Sequence, residues 1–200
     1  MNNNNLTINL LYSDPEGEIW RFDDLIEGEG FITPDDIDNF SDAMGGLELI
    51  TDAYKVFFRS TDYHDLNMVV HFLLSGLTAM KVLDHEYFTT HYTTHEENIL
   101  LSRLQHTNGS VLILEDHDNN LIKLSYQQAD TSVKKGRNNF YFDNILIHES
   151  VWSKAAKIAL NEYFIIRKKM EGVSKTKEAS RIINAWFDYT NGEFPDEPNF

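Results

Sequence analysis

Cysteine is absent from the 200 residues. That removes thiol nucleophiles, disulfide scaffolds and thiolate zinc sites together. The absence fits a reducing compartment. Met1 to Asn5 is polar, with no basic segment leading into an apolar one, so a cytoplasmic rather than a secreted location is expected. Basic residues are scarce too: 17 Lys and Arg face 32 Asp and Glu, a formal net charge of −15. A field of that sign repels phosphate backbones and anionic lipid, so direct nucleic-acid binding and membrane attachment are not expected. Long apolar runs are also missing. The most apolar stretch, Leu66 to Leu83, is interrupted by Asn67, His71, Ser75, Gly76 and Lys81, which is too polar for a comfortable membrane span.

The glycine motifs that cradle phosphates or expose a nucleophile are absent as well. There is no Gly-x-x-x-x-Gly-Lys-Ser/Thr, no Gly-x-Gly-x-x-Gly and no Gly-x-Ser-x-Gly. No cofactor and no catalytic residues are therefore expected. Nor does a Pro/Gly/Ser-rich linker or an internal repeat divide the chain. With 42% hydrophobic residues and a length that buries about 70% of the unfolded surface, residues 1–200 are expected to form a single domain.

Charge divides the chain where linkers do not. Residues 1–100 hold 19 acidic and 4 basic side chains, whereas residues 101–200 hold 13 of each. Asp14 to Asp52 carries 13 acids against Arg21 alone. Lys154 to Arg181 carries 8 bases against Glu162, Glu171 and Glu178. The organisation is an acidic part over 1–83, a central part over 87–147 and basic helices over 150–190.

The local pattern predicts an α+β fold. Leu6 to Tyr12 reads as a strand and Asp14-Pro15-Glu16-Gly17 as a turn, with Glu18 to Phe22 as the hairpin partner. Thr33-Pro34-Asp35-Asp36 opens a helix that is expected to stop at Gly45-Gly46. Leu47 to Arg59 is rich in β-formers and reads as one strand. Within Asp65 to Leu83, Leu66, Val69, Val70, Leu73, Leu77 and Met80 recur at helical spacing, although Gly76 weakens that helix. Tyr87 to Thr94, Ile99 to His106, Val111 to Glu115, Leu121 to Tyr126 and Phe140 to Ile147 form an antiparallel meander, with a tight turn at Asn108-Gly109 and a looser one at Lys134-Lys135-Gly136. Two helices follow, one from Ser150 to about Met170 and one from Ser174 to before Asn191-Gly192, and are expected to pack on the sheet.

Three groups of residues invite a chemical reading. His85, His91 and His95, beside Glu86, Glu96 and Glu97, offer ligands for a divalent metal, but not at the His-Glu-x-x-His spacing of a metalloprotease. Exposed strand histidines among threonines explain them as well. Asp116-x-Asp118-x-Asn120 opens like a calcium loop. Leu121 then stands where such a loop needs Gly and Gln127 where it needs Glu, so it reads as a hairpin turn. The third group is the acidic segment itself. Its carboxylates alternate with Trp20, Phe22, Leu25, Ile26, Phe31, Ile37 and Phe40, which would build a negative, partly apolar surface unless these side chains fill the core and the basic helices neutralise the acids.

The expectation drawn from this is a non-catalytic binding protein: an inhibitor or immunity-type protein that neutralises a basic protein partner, such as a nuclease toxin. The argument is one of charge, not of shared motif. Its partner-binding residues are Asp23, Asp24, Glu27, Glu29, Asp35, Asp36, Asp38 and Asp42. An acidic secretion or assembly chaperone and a metal-dependent hydrolase built on the histidines are the alternatives. No metal is assigned.

Overall fold

The computed structural model describes residues 5–14, 16–26, 44–51, 54–83, 99–105, 110–127, 142–169 and 177–191. The fold is α+β, with two four-stranded antiparallel sheets and four helices among these residues. The first sheet has β1 (Leu6–Ser13), β2 (Ile19–Arg21), β3 (Met44–Thr51) and β4 (Tyr54–Asp65), in the order β2-β1-β3-β4. The second has β5 (Leu100–Gln105), β6 (Val111–His117), β7 (Leu121–Gln127) and β8 (Phe142–His148), in sequence order. This is the meander expected from the alternation of apolar side chains: Leu112 and Leu114 are buried in β6, and Ile122 and Leu124 in β7. Of the expected strands, Tyr87 to Thr94 lies outside the described residues. So do the turns Asn108-Gly109 and Lys134-Lys135-Gly136, although Gln105 stands opposite Val111 as a hairpin requires.

The N-terminal hairpin is organised by Asp14. Its carboxylate accepts from the Glu18 amide at 2.7 Å and from the Trp20 indole at 2.9 Å, while Gly17 takes the left-handed φ of 87° that the turn needs. Phe22 leaves this hairpin and starts helix α1 (Phe22–Ile26). The remaining helices are α2 (Leu66–Leu83), α3 (Glu149–Lys169) and α4 (Lys177–Thr190).

Two expectations are corrected. Gly45-Gly46 does not stop a helix: both residues lie in β3, paired with β1. Gly45 is required by closeness instead of by capping, since a Cβ there would lie 2.7 Å from the Leu11 carbonyl oxygen and 2.8 Å from Leu66 Cδ1. The body of the helix expected from Thr33 lies outside the described residues. Leu47 to Arg59, expected as one strand, is two. β3 ends at Thr51 and β4 begins at Tyr54, which stands opposite Thr51 in an antiparallel pair. Folding back lets Leu47 and Leu49 bury on one side while Glu48 faces the other.

The helices connect the sheets. α2 packs against β5 of the second sheet and against β3, β4 and β1 of the first; α3 lies against β1, α1 and α2; α4 lies on α2. Gly76 allows the approach of α2 to the second sheet, because a Cβ there would stand 2.9 Å from Leu114 Cδ2. One continuous apolar cluster results, drawing on both sheets and all four helices. Trp152 sits inside it edge-on to Phe72, with ring centroids 6.1 Å apart, and Phe164 stacks on Trp186 at 4.9 Å.

Candidate functional site

Of the eight acids expected to meet a partner, Asp23 and Asp24 fall among the described residues, side by side on α1. Glu27, Glu29, Asp35, Asp36, Asp38 and Asp42 lie outside them. Asp24 is partly committed, since its Oδ2 accepts from the Arg21 amide at 3.2 Å at the start of the helix. Asp23 is exposed, and its Oδ1 accepts from the amide of Asp24 at 3.1 Å.

α1 packs on α3, and there the acidic segment meets a carboxylate that the sequence did not flag. Glu162 is half-buried on α3; burial of its carboxyl, and secondly the charge of Asp23, push it up to about 7 from an ordinary 4.5. The ion pairs among the described residues join Arg21 to Glu48, Arg59 to Glu48 and Lys123 to Glu115. None links Lys154, Lys157 or Arg167 to an acid of the front segment.

A pH dependence follows. The native state holds the Glu162 proton more tightly than the unfolded chain does, so this group favours folding at low pH. That advantage is lost progressively as pH rises from about 4.5 through about 7. Glu162→Gln should therefore stabilise the protein at pH 8 by about 1–2 kcal/mol, less than the full shift implies because water screens a half-buried group. The gap should close as the pH falls toward 4, and urea titrations of both proteins at several pH values read it directly. A constant gap would contradict the assignment.

The single base of the acidic segment is used elsewhere. Glu48, 1% exposed in β3, holds Arg21 through Oε2 at 3.0 Å from Nε and 2.8 Å from Nη2. Asn9 Nδ2 donates to the same oxygen at 2.8 Å, and Arg59 Nε lies 3.7 Å from Oε1. A second buried polar group joins α2 to α3: Arg167 donates to the Tyr163 hydroxyl, which donates to Asn67 Oδ1 at 3.4 Å. Both clusters are built from side chains whose charge alone carried no functional signal.

His85, His91 and His95 lie outside the described residues. Among the described residues, no three His, Asp or Glu side chains are grouped to hold a metal ion. Asp116-x-Asp118-x-Asn120 is a hairpin end: Asp116 pairs with Ile122 across β6 and β7, and Asn119 and Asn120 turn the chain at φ 65° and 58°. No described helix is long and apolar enough to cross a membrane. A scan against protein-family models, a search of curated proteins and a search of solved structures each return no match for the chain.

Proposed function

We propose that this chain is a non-catalytic, cytoplasmic binding protein of the inhibitor or immunity type, which neutralises a basic protein partner through the acidic surface around α1. The observation that supports this most is the Asp23–Glu162 junction. Two carboxylates from distant parts of the chain lie close enough to interact there, with no ion pair to either among the described residues, and burial, with the charge of Asp23 second, pushes the Glu162 carboxyl up to about 7. A partner's Lys or Arg supplies the missing positive charge. Trp20, half-buried beside α1, supplies apolar contact, whereas Phe22 is buried in the core. The net charge of −15 extends the attraction, steering a basic protein to the site at low salt.

The test is capture from source-cell lysate at about 50 mM salt and again at high salt, where the screening length shrinks from roughly 14 Å to a few Å. The reading expects one basic protein, held at low salt and released at high salt. Asp23→Asn with Glu162→Gln should lose it, and Asp118→Asn, an exposed acid in the β6–β7 turn, should keep it. Equal retention by both variants would remove the junction from the interface.

A further inference from the structure

We infer that the cleft where the end of α2, the start of α3 and the end of α4 meet is a binding site for a small anion, the phosphate or carboxylate of a small molecule. The cleft measures about 890 Å³, within the roughly 300–1,000 Å³ of small-molecule sites. Its walls reverse the sign of the rest of the protein. In a chain of net charge −15, Lys81 and Lys157 both line it, with Glu149 as the one acid among the lining residues. Both ammonium groups lie over the same ring, that of Tyr189, at 5.3 Å and 5.6 Å from its centroid. Lys81 also donates to the Tyr189 carbonyl at 3.0 Å, which closes the C-terminal end of α4. Lys157 makes no ion pair among the described residues, so its charge is left for a ligand.

Two further features point the same way. Ser150 lines the cleft in the first turn of the 21-residue α3, where the helix presents its positive end, although the Glu149 amide already donates to the Asn120 carbonyl at 2.9 Å. Trp186 lines it at 2% exposure, and its indole N–H, itself buried, has no acceptor among the described residues. Cations and a helix N-terminus beside the aromatic rings of Tyr189 and Trp186 suit an anionic group carried on a flat or apolar body. A polyanion such as nucleic acid is repelled by the overall charge, whereas a small anion inside the cleft responds to the lysines nearest it.

The experiment is an NMR titration of the intact protein with inorganic pyrophosphate, and separately with citrate, at constant ionic strength. The expected result is saturable movement of the Trp186 indole resonance and of the Ser150 and Val151 amides, with the tighter probe assigning phosphate or carboxylate. Lys157→Gln should weaken binding by about tenfold, the scale of one lost charge-assisted hydrogen bond. Lys154→Gln, exposed on the same helix but outside the cleft, should leave it unchanged. Asp23→Asn with Glu162→Gln should leave it unchanged too, so this site stands or falls apart from the acidic surface. Absence of saturable shifts with either probe, or equal affinity in Lys157→Gln, would overturn the proposal.

Discussion

Gly45→Ala is expected to cost about 3 kcal/mol of stability, the upper range for overpacking a closed site. The added methyl would stand 2.7 Å from the Leu11 carbonyl oxygen, 2.8 Å from Leu66 Cδ1 and 3.0 Å from Leu66 Cβ. The first contact is with backbone, so no rotamer change relieves it. Either β1 moves away from β3, loosening the ladder that pairs Leu6 through Tyr12 with Thr51 through Gly45, or the start of α2 moves off the sheet. The melting temperature should fall by about 10 °C for a chain of this length. Gly17→Ala is an instructive contrast, because Gly17 has open space around it and resists a side chain only through its φ of 87°. That variant should lose about 1 kcal/mol. A Gly45→Ala protein as stable as Gly17→Ala would show that β3 does not run this close to Leu11.

Arg21→Ala is expected to cost about 2–3 kcal/mol, although the Arg21 side chain is 43% exposed. The loss falls on the partner. Glu48 keeps Asn9 at 2.8 Å and the more distant Arg59, but its carboxylate, 2% exposed, loses both short contacts to a guanidinium. Charge left buried costs more than the pair itself contributes, so the two substitutions should not add. Glu48→Gln placed on Arg21→Ala should recover part of the loss, and the double-mutant cycle read by urea unfolding should give a coupling of about 1 kcal/mol or more. Additive effects would mean that Glu48 is solvated and its neighbours are incidental.

The sequence reveals the second sheet and the C-terminal helices because their periodicities are simple. Leu112 and Leu114, then Ile122 and Leu124, alternate inward, and Trp152, Ala155, Ala156, Ala159 and Tyr163 repeat at helical spacing. The hairpin between β3 and β4 was not legible, because residues 52–53, Asp-Ala, lack the Asn-Gly or Gly chemistry that marks a tight turn. Gly45 misled for a related reason. A glycine pair signals a helix end or a close approach, and only the position of Leu11 and Leu66 decides between them. The acidic segment was legible as charge. Its meeting with Glu162 was not, since no local pattern joins α1 to a residue on α3 that would otherwise read as one acid in a basic helix.

The association rate of the captured basic partner, measured for the native protein and for Asp23→Asn with Glu162→Gln at about 50 mM and about 500 mM salt, tests the functional reading most directly. Electrostatic steering predicts a rate at low salt that falls about tenfold or more with salt, and a smaller fall in the double variant without added salt. Equal rates for the two proteins at low salt would contradict it, and the junction of α1 and α3 would then be a solvated face that serves only solubility.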